Sequence, residues 1–370
     1  MGDLVAIDLP AGPAWVDHIR EAWDRGDAIL PVDQRLAPPA RAALVEALGP
    51  SVVIGPHGTV SRAGGWAVED GDALVVATSG TTGQPKGVVL THAAVAASAR
   101  ATSSRLGVDG SRHRWLACLP LNHVGGLSVV TRAIITATPV TVLPRFDPDA
   151  VLAHAGRDTL VSLVPTALRR VGAAFFHTVV LGGSAPPEDL APNVVTTYGM
   201  TETGSGVVYD GAPLDGVEVA VSAPDGEIRV RGPMLLRCYR DGTVPLDAGG
   251  WLATGDAGWI GGDGRLYVRG RLSELIVTGG ENVWPAPVEA ILRAHPAVAD
   301  VAVAGRDDPE WGQRVVAWVV PQSSVAPPSL DVLRRWVSDR LASFAAPREL
   351  ELVESLPTTS IGKVRRTQLR

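Results

Sequence analysis

The densest chemistry in the chain lies between Thr78 and Val88, where the sequence runs Thr-Ser-Gly-Thr-Thr-Gly-Gln-Pro-Lys-Gly-Val. Its first ten positions hold four hydroxyl side chains, three glycines and one lysine. Glycine admits positive φ and lets the backbone approach a ligand closely. Hydroxyls and backbone N–H groups can then surround phosphate oxygens, and Lys86 supplies a compact positive charge. The spacing differs from a Walker A loop, which needs Gly-Lys-Ser/Thr after four intervening residues. A surface loop is the plainer alternative, and the composition of the ten positions argues against it. Farther along, Tyr198-Gly199-Met200-Thr201-Glu202-Thr203 offers an aromatic face, a hydroxyl donor and a hard oxygen ligand for a hard cation. Thr254-Gly255-Asp256 sets a carboxylate in a turn, and Ile361-Gly362-Lys363 carries the second of only two lysines, the first being Lys86.

In this order the stretches resemble the signature motifs of the adenylate-forming superfamily, which holds acyl-CoA synthetases, luciferases and peptide-synthetase adenylation domains. The resemblance implies that Thr78, Ser79, Gly80, Thr81, Thr82, Gly83 and Lys86 bind ATP phosphates, together with Gly183 and Ser184. It implies that Tyr198 stacks on adenine beside Gly199, that Thr201 bonds the α-phosphate and that Glu202 holds Mg²⁺. Asp256 is then the ribose ligand, and Arg271 in Arg269-Gly270-Arg271-Leu272-Ser273 contacts ribose and phosphate. Ser273 stands at the family's hinge, where Asp or Lys is usual; a small polar residue could still absorb a backbone rotation. Gly279 and Gly280 resemble the loop that lines the thiol's approach, with glycines passing a pantetheine arm. Trp284 departs from the family's usual aromatic or His there and reads as packing. Lys363 matches the catalytic lysine, a cation that meets the carboxylate and α-phosphate as charge develops on the transferring group. The catalytic set implied is Lys363, Thr201, Glu202 and Lys86.

The activity so implied is an ATP-dependent ligation with Mg²⁺, and with CoA as co-substrate. An acyl-adenylate forms first and the acyl group then passes to the thiol. The positions matching the family's acid pocket are His123, Thr166, Gly182, Ser205, Gly206 and Val207. Only 77 residues precede Thr78, which makes a long fatty-acyl tunnel the less expected pocket. That brevity, with the segments Pro120–Leu127 and Tyr209–Val219, resembles the compact o-succinylbenzoate–CoA ligases of menaquinone synthesis. Such an acid bears two carboxylates and a ketone, so a cationic anchor is expected from His123, Arg132 or Arg112. Two other readings stand beside this one. The enzyme could be another aryl- or acyl-CoA ligase, or load a carrier protein, or the chain could be an idle nucleotide-binding protein. Joint retention of Lys86, Glu202, Asp256, Arg271 and Lys363 argues against the last.

The elements that must position these residues follow from hydrophobic pattern. Ala73–Thr78, Trp115–Leu119, Pro139–Leu143, Leu160–Val164 and Thr178–Leu181 are apolar runs of strand length. Helical stretches such as His92–Leu106 and Thr166–Ala174 lie between them, so an α/β layered domain with a largely parallel sheet is expected. Val217–Val221, Glu227–Arg231 and Arg265–Arg269, separated by Gly- and Asp-rich turns, suggest a small antiparallel or barrel-like β portion. The last hundred residues return to alternation, with helices expected at Ala286–Ala294 and Ser329–Leu341. Strands are expected at Val298–Ala304, Val315–Val320 and Glu349–Val353. The organisation expected is an N-terminal ATP- and acid-binding domain over residues 1–272 and a small mobile α+β domain over 273–370.

Bulk properties narrow the field. With 46% hydrophobic and 19% charged residues over 370 positions, the chain suits a well-buried enzyme of more than one domain. A net charge of −6 without a concentrated basic face excludes a typical nucleic-acid binder. Cys118 and Cys238 stand far apart without metal-ligand spacing and read as buried reduced thiols. No apolar run reaches the roughly 20 residues that span a bilayer. A cytoplasmic enzyme acting on a small carboxylic acid is expected, with a homodimer left open.

Overall fold

The computed structural model describes residues 1–79, 85–323, 326–358 and 364–369. The chain packs as two compact units: Met1–Val219 with Val230–Ala253, and Ala220–Arg229 with Thr254–Arg370.

The first unit holds two seven-stranded sheets. One runs Cys238–Tyr239, Pro85–Thr91, Asp72–Ser79, Ala28–Pro31, Leu4–Ile7, Val52–Gly55 and Gly58–Ser61. Its middle is parallel; one end is the antiparallel hairpin Val52–Gly55 with Gly58–Ser61, and at the other Cys238–Tyr239 adds antiparallel to the pair Asp72–Ser79 and Pro85–Thr91. Leu4, Leu30, Val75 and Val89 meet in its core with Leu44 and Leu48 of helix Pro38–Leu48. The other runs Ala212–Pro213, Gly206–Tyr209, Val194–Gly199, Thr178–Leu181, Thr159–Leu163, Arg114–Ala117 and Val140–Val142. Its last five strands pair in parallel, as the alternation of apolar runs and helices predicts. Leu116, Val161, Leu163, Phe176, Val179 and Leu181 form its core.

Two points differ from the sequence reading. The strand leading into the phosphate-loop sequence joins the sheet built on the first 61 residues, not the parallel sheet. A second strand, Pro85–Thr91, also stands between that sequence and helix His92–Arg105, where the sequence reading placed no strand. Its Val-Val-Leu run pairs with Leu74–Val76, so a strand is the better burial for it than a helix. Thr91 then caps the helix, its hydroxyl accepting from the Ala94 N–H at 3.1 Å.

In the second unit, Leu252–Ile260 and Leu266–Arg271 form a hairpin, although Leu252 and Ala253 belong to the first. The remainder is a five-stranded sheet centred on the long pair Val298–Asp308 and Gly312–Pro321. This pair is buried on both faces, which explains its near-continuous apolar sequence. Val301, Val303, Val315 and Val319 pack with Val288 and Leu292 of helix Pro285–Arg293 and with Leu333 and Val337 of helix Leu330–Ser338. Ala302, Val316 and Trp318 turn the other way, onto Leu356 and Leu369.

Candidate active site

Antiparallel pairing carries Thr78 opposite Lys86 and Ser79 opposite Pro85, so both strands reach the phosphate-loop sequence in register. Gly80, Thr81, Thr82 and Gly83 lie outside the described residues. The Thr78 hydroxyl donates to the Lys86 carbonyl at 3.4 Å. The next strand of the sheet, Cys238–Tyr239, sets Tyr239 opposite Val88. The Lys86 ammonium nitrogen lies 5.1 Å from the centroid of the Tyr239 ring. The Tyr239 hydroxyl in turn donates to Glu202 Oε1 at 3.0 Å. Burial, and then the charge of Glu202, push the Tyr239 phenol well above its ordinary pKa, so it remains a donor. Lys86, Tyr239 and Arg240 line a cavity of about 90 Å³ with Leu48, Trp66 and Asp241.

Glu202 rides on the turn Thr201–Thr203 that follows strand Val194–Gly199. Thr203 closes the turn: its hydroxyl accepts from the Met200 N–H at 2.9 Å and donates to the Ser205 carbonyl at 2.7 Å. Gly199 is required by contact, since a Cβ there would meet the Ser205 carbonyl oxygen at 2.2 Å. Tyr198 pairs with Val208 and is half-buried. Glu202 therefore presents a half-buried carboxylate with one oxygen already hydrogen-bonded. Among the described residues no group of three or more His, Cys, Asp or Glu gathers as a metal cage. That donor set fits magnesium carried on nucleotide phosphates, which needs only one or two protein carboxylates.

The acid-pocket candidates divide. His123 caps helix Val124–Ile135, and its Nε2 lies 3.3 Å from Arg35 Nη2. Arg35 also donates to Asn122 Oδ1 at 3.3 Å and forms a bidentate pair with Asp33. Burial raises the Asp33 pKa, and the bonds from Arg35 outweigh it, so the carboxyl sits below its usual range. Ser205 is buried, with its hydroxyl 3.3 Å from both Ser128 Oγ and Arg132 Nη2. Gly206 pairs with Gly199, and Val207 is fully buried. Gly182 lies against Thr197, whose hydroxyl would stand 2.6 Å from an added Cβ. Gly183, Ser184, Thr166 and Arg112 are exposed.

In the second unit the hairpin register sets Asp256 opposite Arg271, and Arg271 Nε pairs with Asp256 Oδ1 at 2.9 Å. Arg271 Nη1 donates to the Thr254 carbonyl at 2.8 Å, and the Thr254 hydroxyl accepts from the Asp256 N–H at 3.1 Å. The two expected ribose ligands are thus one unit, and Thr254-Gly255-Asp256, read from the sequence as a turn, lies within strand Leu252–Ile260, where pairing with Leu266–Arg271 sets the carboxylate. Ser273 is exposed in the turn Leu272–Glu274. Gly279 and Gly280 join Ile276–Thr278 to Glu281–Val283 as a two-residue turn, both with positive φ. A turn of that kind demands glycine whatever passes it, and Gly279 also lies against Trp311. Trp284 caps helix Pro285–Arg293 and packs on Gly270. Lys363 lies outside the described residues, but the chain is tied on both sides of it. Thr358 and Val364 form an antiparallel bridge, and Arg366 pairs with Glu274 at 2.8 Å and Glu289 at 2.6 Å.

Tyr239, Arg35 and Arg366 were not legible as site residues in the sequence. Each takes its meaning from a partner 37, 88 or 77 positions away, and no local motif announces such a pair.

The family model described as AMP-binding enzyme matches residues 65–240, and the AMP-binding enzyme C-terminal domain model matches 287–363. A probable 2-succinylbenzoate–CoA ligase of Mycobacterium tuberculosis is 43% identical over 328 residues, covering 82% of this chain and 85% of that protein. The o-succinylbenzoate CoA synthetase of Bacillus subtilis in complex with the acyl-adenylate intermediate OSB-AMP aligns with a TM-score of 0.87 at 29% identity. The match covers 100% of this chain and 88% of that one. The same synthetase in complex with ATP and magnesium ion aligns with a TM-score of 0.86 at 29% identity, over 100% of this chain and 89% of that one.

Proposed function

The chain belongs to the AMP-binding enzyme family, and on that premise we propose that it is an AMP-forming acid–CoA ligase converting o-succinylbenzoate to its CoA thioester. The observation that carries the reading is the line from Lys86 through Tyr239 to Glu202. It holds a cation and a hard carboxylate ligand at the base of the strand pair that frames the phosphate-loop sequence. That is the charge arrangement a nucleoside triphosphate with its magnesium requires.

In the first half-reaction a substrate carboxylate oxygen attacks the α-phosphorus of ATP. The bond to the pyrophosphate oxygen breaks, giving acyl-AMP. Lys86 and Lys363 offset the charge that gathers on the phosphoryl oxygens, and Thr201 hydrogen-bonds the α-phosphate. Glu202 holds the magnesium that enters with ATP, and Asp256 and Arg271 orient the ribose. In the second half-reaction the CoA sulfur attacks the acyl carbon and the bond to the AMP oxygen breaks. We assign the change between the two steps to a rotation of residues 273–370 about Ser273, which withdraws Lys363 and brings Gly279 and Gly280 to the thiol's path. The acid is held by the surroundings of His123, Thr166, Gly182, Ser205, Gly206 and Val207.

Two free, buried cysteines support a cytoplasmic location, with the Cys118 thiol pushed up to about 12 by burial. No helix among the described residues is long and apolar enough to cross a membrane. A homodimer is part of the proposal and is read by sedimentation.

The test is acid-dependent AMP formation with ATP, Mg²⁺ and CoA over o-succinylbenzoate, benzoate and a medium-chain and a long-chain fatty acid. Preference for o-succinylbenzoate with its CoA thioester as product is expected. Turnover with another acid alone discards the substrate and keeps the ligase. A requirement for a carrier protein in place of CoA discards the thiol assignment.

A further inference from the structure

The backbone of His123 is fixed on both sides. Its N–H donates to the Pro120 carbonyl at 3.3 Å, and its carbonyl accepts from the Gly126 and Leu127 N–H groups at 3.0 and 2.9 Å. It caps helix Val124–Ile135 by position, yet its side chain makes no capping bond. The imidazole is engaged instead by a residue 88 positions earlier, with Arg35 Nη2 lying 3.3 Å from Nε2. Arg35 follows strand Ala28–Pro31 of one sheet, and His123 follows strand Arg114–Ala117 of the other. Asp33, 9% exposed, accepts from Nε and Nη2 of Arg35 at 2.8 and 2.9 Å on its two oxygens. That bidentate pair fixes the guanidinium plane and aims Nη2 at Asn122 and His123 together.

A guanidinium carries five N–H donors and no acceptor, and it stays charged in proteins. The nitrogen it faces can therefore only accept. Nε2 of His123 holds a lone pair, so the ring is neutral and its one proton sits on Nδ1. A proton on Nε2 would set N–H against N–H beside a full positive charge. Asn122 Oδ1, also 3.3 Å from Nη2, shares the donor without changing this. The positive end of the helix that His123 caps weighs against an imidazolium as well. Asp33 pulls the other way, but both its oxygens are held by Arg35, so the pair presents the ring with a donor rather than an anion.

We propose that Arg35 is a positioning residue for the acid: it locks His123 as the neutral Nδ1–H tautomer, so the hydrogen bond His123 gives the substrate is donated from Nδ1. The inference rests on the acid-pocket reading of His123 and deepens it. His123 then serves as an uncharged donor and not as the cation expected from the sequence. A fixed backbone and a fixed proton give the pocket one donor that needs no reorganisation when the acid binds.

The test is a long-range 1H–15N spectrum of the enzyme labelled at histidine, taken near neutral pH without substrate. The His123 signals are identified by their loss in His123→Asn. Wild type should show a protonated Nδ1 and an unprotonated Nε2. Arg35→Met should move the proton toward Nε2, and Arg35→Lys, which still donates, should keep more of it on Nδ1. In adenylation, read as pyrophosphate release, Arg35→Met should raise KM for the acid roughly 10-fold and leave KM for ATP unchanged. Asparagine places its amide nitrogen where Nδ1 lies and glutamine where Nε2 lies, so His123→Asn should retain more kcat/KM than His123→Gln. A wild-type ring with its proton on Nε2, or with both nitrogens protonated, would overturn the proposal. So would a fall in kcat alone in Arg35→Met, which would mark Arg35 as a packing residue. Should Arg35→Met fail to fold, the wild-type spectrum decides. Because that spectrum needs neither acid nor nucleotide, failure of the tautomer is told apart from failure of the substrate assignment.

Discussion

Removing a single oxygen tests whether Tyr239 serves the site. Tyr239→Phe keeps the ring 5.1 Å beneath the Lys86 ammonium and deletes only the bond to Glu202 Oε1 at 3.0 Å. A hydrogen bond to a charged group is worth about 1.5–3 kcal/mol. Both side chains are half-buried, so water recovers part of the loss and about 1–2 kcal/mol remains. At about 1.36 kcal/mol per decade, that is roughly a 5- to 30-fold fall in kcat/KM for adenylation. If the hydroxyl orients Glu202 toward magnesium, the deficit should shrink as Mg²⁺ is raised. Tyr239→Leu, which also removes the face under Lys86, should lose more and should raise KM for ATP. Because the phenol pKa is raised, its bonded form is favoured; that contribution is complete below pH about 10 and fades only above it. The Tyr239→Phe deficit should accordingly be flat between pH 6 and 9. The assay is pyrophosphate release against Mg²⁺ at several pH values. Wild-type kcat/KM with unaltered Mg²⁺ dependence in Tyr239→Phe would refute the argument.

Three further outcomes are expected. Lys363→Ala should abolish acyl-AMP formation yet spare thioester formation from supplied acyl-AMP; equal loss of both, measured separately, would sink the domain-rotation account. Asp72→Asn should lower the stability of the first unit by about 3 kcal/mol, the lower end for a broken buried pair, because Arg237 is one-third exposed. A shift in the urea midpoint at constant m would report it. Burial holds the His92 pKa below its ordinary value, so the unfolded chain binds a proton more readily. Stability should therefore fall as pH drops through about 6.5, and His92→Gln should flatten that part of the pH–melting curve.

What could be read from residues alone was whatever repeats locally. Strand Thr178–Leu181 was placed to the residue because its apolar run is bounded by polar and glycine residues on both sides. Helices Pro285–Arg293 and Leu330–Ser338 fell within a few residues of expectation, with fraying ends accounting for the rest. The strands and helices before residue 62 were not called individually. Short pieces such as Leu4–Ile7 have no period long enough to register, and they become strands only by pairing with Ala28–Pro31 and Val52–Gly55. At the site the same division holds. Lys86, Glu202 and Asp256 are announced by their motifs, whereas Tyr239, Arg35 and Arg366 act through partners brought near only by folding. Arg132 was named among several cations; its burial against Trp115 and Ser205 is a property of packing that no spacing encodes.

The bridge between Thr358 and Val364 ties down the C-terminal end of the second unit. Val364 is held to Thr358, and two residues on Arg366 is clamped by Glu274 of the turn Leu272–Glu274 and by Glu289 of helix Pro285–Arg293. The last described residues are therefore stapled to two separate elements of their own unit, and a shift of either is passed to them as a pull on one guanidinium. Arg366→Ala would cut that staple and leave Val364 to the bridge alone.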